Sequence, residues 1–273
     1  MLLNFMSVTP VRQKFLDELA KNQRSSDSEV IKLLNWNIRN PSLERAIKQI
    51  EWIKKNNFDV IVLSEAKSSE GCNYISDRLR GLDYNVLFPK PENDDYCAIM
   101  AVRKLKEIPD IRTDFLPYRV SFSICNFSGK DILVAGMYAP IWKDDKARKW
   151  FKKFEELMND ENLRKKFSDW IIIGDMNVLE PKHDPQYPIY KDWEWFYNSF
   201  KNHGFTDIFR FFHPKEKEYS WFSHDGNGYR FDHAFVTENL IPFAKKCFYI
   251  HEVRLEKLSD HSAMCLEIGE AGI

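Results

Sequence analysis

Almost no net charge separates the 40 Lys and Arg residues of this 273-residue chain from its 41 Asp and Glu residues. It has no global basic field of the kind that announces nucleic acid or an anionic membrane, so only a local basic face is left for that task. No run of 18 apolar residues occurs, and no segment reads as membrane-spanning. The apolar stretch Met1–Met6 is too short for a signal-peptide core, acidic residues follow it, and no cleavage site is apparent. The five cysteines, Cys72, Cys97, Cys125, Cys247 and Cys265, are scattered, odd in number and form no C-x-x-C pair. That pattern argues against a zinc site or a disulfide framework and for a reducing compartment. The expectation is a soluble, cytoplasmic protein. Internal repeats and low-complexity tracts are also absent.

What is present is apolar and aromatic. Hydrophobic residues make up 44% and aromatics 15%, enough to fill a sizeable layered core. Residues 10–23 carry apolar positions at helical spacing (Val11, Phe15, Leu16, Leu19) behind Pro10, and the polar run Arg24–Glu29 reads as a linker. The domain expectation is therefore an N-terminal helix and linker over 1–29 and one main domain over 30–273. From Val30 onward, strand-like and helix-like segments alternate. Val30–Ile38, Val60–Leu63, Ile132–Tyr138 and Trp170–Ile173 read as buried strands, while Leu43, Ala46, Ile47, Ile50 and Ile53 form a helical stripe. A second stripe, Ala147, Trp150, Phe151, Phe154 and Leu157, lies on a long charged helix. The lysines of Lys143–Lys166 alternate with acids, which reads as a solvated helix face. Strands also read near Tyr84–Phe88, Cys97–Val102, Val120–Asn126, Tyr219–Phe222, Arg230–Val236, Phe248–Val253 and Ala263–Ile268, with helices around Tyr74–Leu82 and Trp193–His203. Two sheets flanked by helices in one domain follow from that pattern.

Polar residues stand where these strands end. Asn37 follows the first strand, Glu65 the second and Tyr138 the Ile132–Met137 run. Gly174-Asp175-Met176-Asn177 closes the Trp170–Ile173 run. On a strand, residues i and i+2 share a face, so Asp175 and Asn177 address one site if the extended geometry continues that far. Asp232 lies in Tyr229-Arg230-Phe231-Asp232-His233, and Ser259-Asp260-His261 precedes the last strand. His233 should point away from Asp232, toward a structural role.

The pieces Trp36-Asn37-Ile38, Leu63-Ser64-Glu65, Tyr138-Ala139-Pro140, Gly174-Asp175-Met176-Asn177, Arg230-Phe231-Asp232 and Ser259-Asp260-His261 resemble, in order, the motifs of the endonuclease/exonuclease/phosphatase superfamily. The likeness runs from about Leu33 to Ile268. Gly204-Phe205-Thr206-Asp207, Tyr219-Ser220-Trp221 and Gly228–Asp232 look like the exonuclease III and abasic-site endonuclease branch. The resemblance implies a four-layer α/β sandwich, two packed mixed β-sheets flanked by helices. It further implies a metal-dependent phosphodiesterase acting on DNA, by abasic-site incision or 3′-end trimming. Mg²⁺, with Mn²⁺ as the alternative, would be held by Glu65 with Asn37 and Asp260 nearby; oxygen donors suit such hard cations. Asp175 would act as base, with Asn177 holding the water or a phosphate oxygen. His261, oriented by Asp232, would bond a phosphate oxygen, and Tyr138 would face the phosphate or the leaving oxygen. Trp221 and Tyr229 would line a base-less-sugar pocket, with Arg230 and Arg39 among the substrate contacts. Two alternatives stay open: a phosphatase or phosphodiesterase on RNA, a phosphoinositide or another small phosphate, and a catalytically silent binding module. No membrane partner is implied, and a monomer is expected. The chain departs from the branch at Arg39-Asn40, where that branch has Asn or Asp followed by Gly, and at Ile141, where it often has Asn or Gln. The segment 222–228 is short for the branch's DNA-gripping loop.

Overall fold

A computed structural model describes residues 30–92, 95–112, 116–141, 145–184 and 191–271. The helix expected over 10–23 and the linker after it lie outside the described residues. Among the described residues, fourteen strands form two six-stranded mixed sheets and one hairpin. The first sheet orders β13 (Ala244–Ile250), β14 (Ala263–Ile268), β1 (Ile31–Asn37), β2 (Val60–Ala66), β4 (Cys97–Val102) and β3 (Asn85–Leu87). The second orders β5 (Leu105–Glu107), β6 (Val120–Phe127), β7 (Lys130–Tyr138), β8 (Asp169–Asp175), β12 (Asp232–Thr237) and β9 (Phe205–Asp207). β10 (Trp221–Phe222) and β11 (Gly228–Tyr229) pair as a short hairpin. Parallel pairing is confined to β1–β2 and β7–β8 among the described strands.

The period-2 alternation of each strand decides what packs where. On β8, Ile171 and Ile173 face the first sheet, while Trp170 and Ile172 face helices. On β2, Val60 and Val62 face the second sheet, while Ile61 and Leu63 face helices. Both faces being covered explains why these strands read as continuous apolar runs rather than alternating ones. Helices α1 (Leu43–Asn56) and α2 (Glu70–Arg80) cover the first sheet through Ala46, Ile50, Ile53, Cys72, Ile75 and Leu79. Helices α3 (Asp145–Met158) and α5 (Lys191–Asn202) cover the second through Trp150, Phe151, Phe154, Phe196 and Phe200. The short α4 (Glu161–Lys166) lies between them in sequence. The layers are thus helix, sheet, sheet, helix. One expected core position fails: Ile47 is 42% exposed, and the buried polar Gln49 takes its place on α1. Gln49 donates to the carbonyls of Ile38 and Leu258, tying the loop after β1 to the loop before β14. All five cysteines are buried and free, packed as small apolar groups.

Several expected elements are shorter. The strand expected over Tyr219–Phe222 is the two-residue β10, and that expected over Arg230–Val236 begins only at Asp232. The reason lies in Arg230. It is fully buried, and its guanidinium reaches Asp184 at 2.7 Å and Asp207 at 2.6 Å. Asp207 caps α6 (Ile208–Phe212) and also accepts from the Tyr197 hydroxyl. This cluster joins the loop after β8, the strand β9 and the entry to β12. Burial pushes the Asp207 pKa up, but the charges of Arg230 and His233 and their hydrogen bonds outweigh it and hold the carboxyl well below its ordinary range.

Replacing Arg230 with Met takes from buried Asp207 its arginine partner, while Asp184 keeps Arg210 at 2.8 Å, and should cost about 3–5 kcal/mol at pH 7 by urea unfolding. In the native protein the depressed pKa of Asp207 contributes stability above the unfolded value of about 3.9, lost as pH falls through the folded value. In the variant, burial acts without Arg230 and raises that pKa, so the folded state is penalised as pH rises from about 4. The destabilisation should therefore be larger at pH 7 than at pH 4.5; a loss under about 1 kcal/mol, or one that grows toward acid, would contradict this role.

Candidate active site

Strand direction brings the polar strand ends to one edge. β1 and β2 run parallel and end there with Asn37 and, past Ser64, Glu65. β7 and β8 run parallel and end there with Tyr138 and Asp175 in register. β12 is antiparallel to β8, so its first residue, Asp232, sits opposite Asp175. β14 is antiparallel to β1, which places Asp260 and His261, just before it, at the same edge. Parity then aims the side chains. Asn35 and Asn37 share the inter-sheet face of Leu33, Asp175 that of Ile171 and Ile173, and Asp232 that of Ala234 and Val236. Gly174 lets β7 approach here: a Cβ on it would lie 2.0 Å from the Met137 carbonyl oxygen.

The two sheets are therefore joined by polar bonds. Asn37 Nδ2 donates to Asp175 Oδ2 at 2.9 Å, and Asn35 Nδ2 donates to Asp232 Oδ1 at 2.9 Å. Asp232 Oδ2 lies 2.8 Å from His261 Nδ1, and its backbone carbonyl accepts from the Tyr249 hydroxyl. Asn35, Asn37, Asp232, Asp175 and His261 are all buried. Burial lowers the pKa of His261, but the charge and hydrogen bond of Asp232, with the charges of Asp175 and Asp260, outweigh it and raise the value to about 9. The ring is thus held as an imidazolium at neutral pH, with Nε2–H left for a ligand oxygen. Nε2 lies 3.4 Å from Asn37 Nδ2, a contact rather than a bond in that state. Burial, followed by the charges of Asp232 and Glu65, raises Asp175 to about 8 against the lowering effects of His261 and Asn37.

Glu65 stands apart. The β2–β4 register shifts between Leu63 and Ala66, a bulge, and Glu65 has a positive φ of 52°. A bulge re-aims a side chain that strict alternation would send to the helix face. Glu65 is half-buried, and its Oε1 accepts from the Tyr138 hydroxyl at 3.2 Å. Asp260, also partly exposed, lies at the same edge, with Arg39 Nε at 3.7 Å and Trp221 Nε1 at 3.4 Å. Ligand atoms of Asp175, Asp232 and His261 also lie within 4.8 Å of one another. That trio is the poorer cation site, because both Asp232 oxygens are engaged by Asn35 and His261 and the ring is positively charged. The carboxylates of Glu65 and Asp260, with oxygen-only chemistry and partial exposure, fit a hard divalent cation.

Other expected residues fall differently. The i, i+2 relation of Asp175 and Asn177 does not hold, because β8 ends at Asp175 and Asn177 turns to φ 49°. The Asn177 backbone N–H instead closes a turn on Asp175 Oδ1 at 3.1 Å, and its amide donates to the Ala139 carbonyl at 2.9 Å. The expected substrate contact of Arg230 is corrected: with zero exposure and two carboxylate partners it is structural. Tyr229 lies in the helix-side core, 7% exposed, behind the partly buried Trp221 at a ring distance of 5.8 Å. Trp221, 6.4 Å from the His261 ring, is the one of the pair that borders the edge. His233 points away from Asp232 to the Val178 carbonyl. Arg39 is exposed at the mouth, and its N–H occupies Asn37 Oδ1. Two residues with a part in the site went unassigned in the sequence. Asn35 orients Asp232, and Ser259 donates to the Asn37 carbonyl while accepting from the His261 N–H. A lone Asn two places before Asn37 in an apolar strand was the signal for the first.

No family model and no curated protein matches the chain. Among solved structures, a variant of the 3′ phosphatase NExo from Neisseria bound to product DNA hairpin superposes with a TM-score of 0.71 at 21% identity, covering 87% of this chain and 99% of that one. An AP endonuclease from Archaeoglobus fulgidus gives 0.70 at 22% identity, covering 88% and 100%. The AP endonuclease LMAP from Leishmania major gives 0.69 at 16%, covering 90% of each. These likenesses establish the shared four-layer fold.

Asp232→Asn removes the charge that holds the imidazolium. In metal-free protein, nitrogen NMR of the ring should place the His261 pKa near 9 in the native chain and below its ordinary value of about 6.5 in the variant, where burial dominates. An unmoved titration would mean that Asp232 does not set the charge of the ring.

Proposed function

We propose that the chain is a metal-dependent phosphodiesterase of the endonuclease/exonuclease/phosphatase superfamily, acting on DNA by incision at base-less sites or trimming at 3′ ends. The observation that carries this reading is the arrangement at one sheet edge: a buried, raised-pKa carboxylate bonded to Asn37, beside an imidazolium held by Asp232 and an open carboxylate corner at Glu65. The folds of a 3′ phosphatase seen with a DNA hairpin and of two AP endonucleases support the substrate class. A silent binding module has no need of a buried carboxylate and imidazolium kept side by side.

In this reading Glu65, with Asn37 and Asp260 close by, would hold Mg²⁺ or Mn²⁺, which would supply Lewis-acid stabilisation of charge on the phosphate. The protein's own groups do the rest. Asp175, its oxygens fixed by Asn37 and the Asn177 N–H, takes a proton from the attacking water. A pKa raised toward neutrality makes it a stronger base than a solvated carboxylate and still leaves part of it ionised. His261 presents Nε2–H to a non-bridging phosphate oxygen, and the imidazolium charge grows in value as the phosphate gains charge. Tyr138, whose hydroxyl pKa burial and the charges of Glu65 and Asp175 raise well above the usual range, stays neutral with its O–H on Glu65 and would face the phosphate or the leaving oxygen. Trp221 and Arg39 border the mouth, where sugar and phosphate would lie.

A cleavage panel of abasic duplex, nicked duplex, single strand, RNA and inositol phosphates tests the reading. Activity should require Mg²⁺ or Mn²⁺ and be highest on a DNA substrate; full activity after exhaustive chelation would sink it. Asp175→Asn should lower turnover by about 10³-fold or more, since it keeps the shape and removes the base. A loss below tenfold would take the base role away from Asp175.

A further inference from the structure

Beside the catalytic edge lies a cavity of about 570 Å³, within the range of about 300–1,000 Å³ usual for small-ligand sites. It shares Tyr138 with the edge, so its occupant lies next to the group bonded to Glu65. Its lining includes the apolar or ring-bearing Tyr96, Pro117, Pro140, Ile141 and Trp150. It also includes the cations Arg119, Lys146, Lys149 and Lys153, with Asp95 as the single acid among the lining residues. The alternation of lysines with acids over 143–166 read as a solvated face. The helical period also gathers Lys146, Lys149 and Lys153 on one side of α3, and that side lines the cavity. Lys153 is partly spent on Glu156 at 2.7 Å. The first turns of α3 add the positive end of the helix dipole. Trp150, 8% exposed and part of the lining, keeps its indole N–H without an acceptor among the described residues. At the rim Ile141 is 46% exposed, an apolar surface open to a ring.

Rings and apolar carbons beside a cluster of cations are the chemistry that binds a nucleotide as part of a single strand: the base rests on the former, the phosphate on the latter. A paired base inside a duplex must be unstacked before it can leave its partner for a cavity beside the strand. We propose that this cavity holds the nucleotide next to the reacting phosphate on a single-stranded stretch or frayed end. Its base lies against Tyr96, Ile141 and Trp150, and its phosphate on Lys146, Lys149 and Arg119. The inference rests on the phosphodiesterase reading and narrows its substrate to strands that are unpaired at this position. Ile141, in the place where the resembled branch often has a polar residue, then serves as part of the base's seat.

The test uses the full chain with Mn²⁺ and the double variant Lys146→Ala, Lys149→Ala, both positions being solvent-exposed. Substrates are a fluorescein-labelled single strand with one abasic site, the same strand in a duplex, and bis(4-nitrophenyl) phosphate, too small to span edge and cavity. The proposal expects kcat/KM on the single strand to fall at least about tenfold relative to the small diester, and the salt slope of its binding to drop by roughly 1.4 for two lost phosphate contacts. Ile141→Asp should likewise depress the single strand more than the small diester. An unchanged ratio and salt slope in a folded double variant would overturn the assignment. So would equal losses on single strand and duplex, since that would be general phosphate steering. If the native chain cleaves none of the three, the phosphodiesterase reading fails. The cavity is then judged by fluorescence anisotropy of the labelled strand: weaker binding by the double variant supports it and equal binding overturns it.

Discussion

Two amide–carboxylate hydrogen bonds, Asn37 to Asp175 and Asn35 to Asp232, cross from one sheet to the other and set the geometry of everything at the catalytic edge. They lie where the inter-sheet core gives out. Up to Leu33 and Ile173 the facing positions are apolar, and beyond them the same faces carry amides and carboxylates. Groups so deeply buried must be bonded, because an unpaired polar group in that setting costs about 1–3 kcal/mol. The pairing thus fixes the spacing of the sheets at their polar end and, through it, the distance between Asp175 on one sheet and His261 on the other. Asn37 is the hub. Its amide nitrogen holds Asp175, its amide oxygen holds the Arg39 N–H, and its carbonyl holds Ser259, which in turn holds the His261 N–H.

Regular sheet geometry accounts for the closed half of the edge and departures from it for the open half. Asp175, Asp232, Asn35 and Asn37 are where alternation sends them. Glu65 and Asn177 are not: each has a left-handed backbone, one on a bulge and one in a turn just past a strand end. Such conformations cost about 1–3 kcal/mol apiece for a side-chain-bearing residue and persist where the surroundings hold them. At Glu65 the return is a carboxylate turned out of the helix-facing core toward Tyr138 and the mouth. The edge is in this way divided into a fixed, buried acid–base corner and a more open carboxylate corner facing solvent.

The parts of this arrangement visible in the sequence are those that local pattern controls. Val60–Leu63, Ile132–Met137 and Trp170–Ile173 announce strands covered on both faces, and the stripe through Trp150 and Phe154 announces the helix over the second sheet. Polar residues at the ends of those runs gave the edge, and parity separated His233 from Asp232. Three-residue strands such as β5 and β9 carry no period of their own and exist because a neighbour pairs with them. Arg230 next to Phe231-Asp232 read as a substrate contact because nothing local reveals Asp184, 46 positions away, as its partner. The Asn177 side chain and the bulge at Glu65 were hidden for a related reason: a change of backbone hand at one residue leaves no mark on hydrophobic periodicity. The lysines of α3 are solvent-exposed, as their alternation with acids suggested, and the 3.6-residue turn collects Lys146, Lys149 and Lys153 on one side of the helix.

If the proposed function is right, a cation should bind by Glu65 and leave the corner of Asp175, Asp232 and His261 free of metal. Anomalous diffraction from crystals soaked in Mn²⁺ reads this directly. A manganese peak is expected within bonding distance of a Glu65 carboxylate oxygen and beside Asp260, with Asp232 still bonded to His261. A peak enclosed by Asp175, Asp232 and His261, or none along this edge, would contradict it.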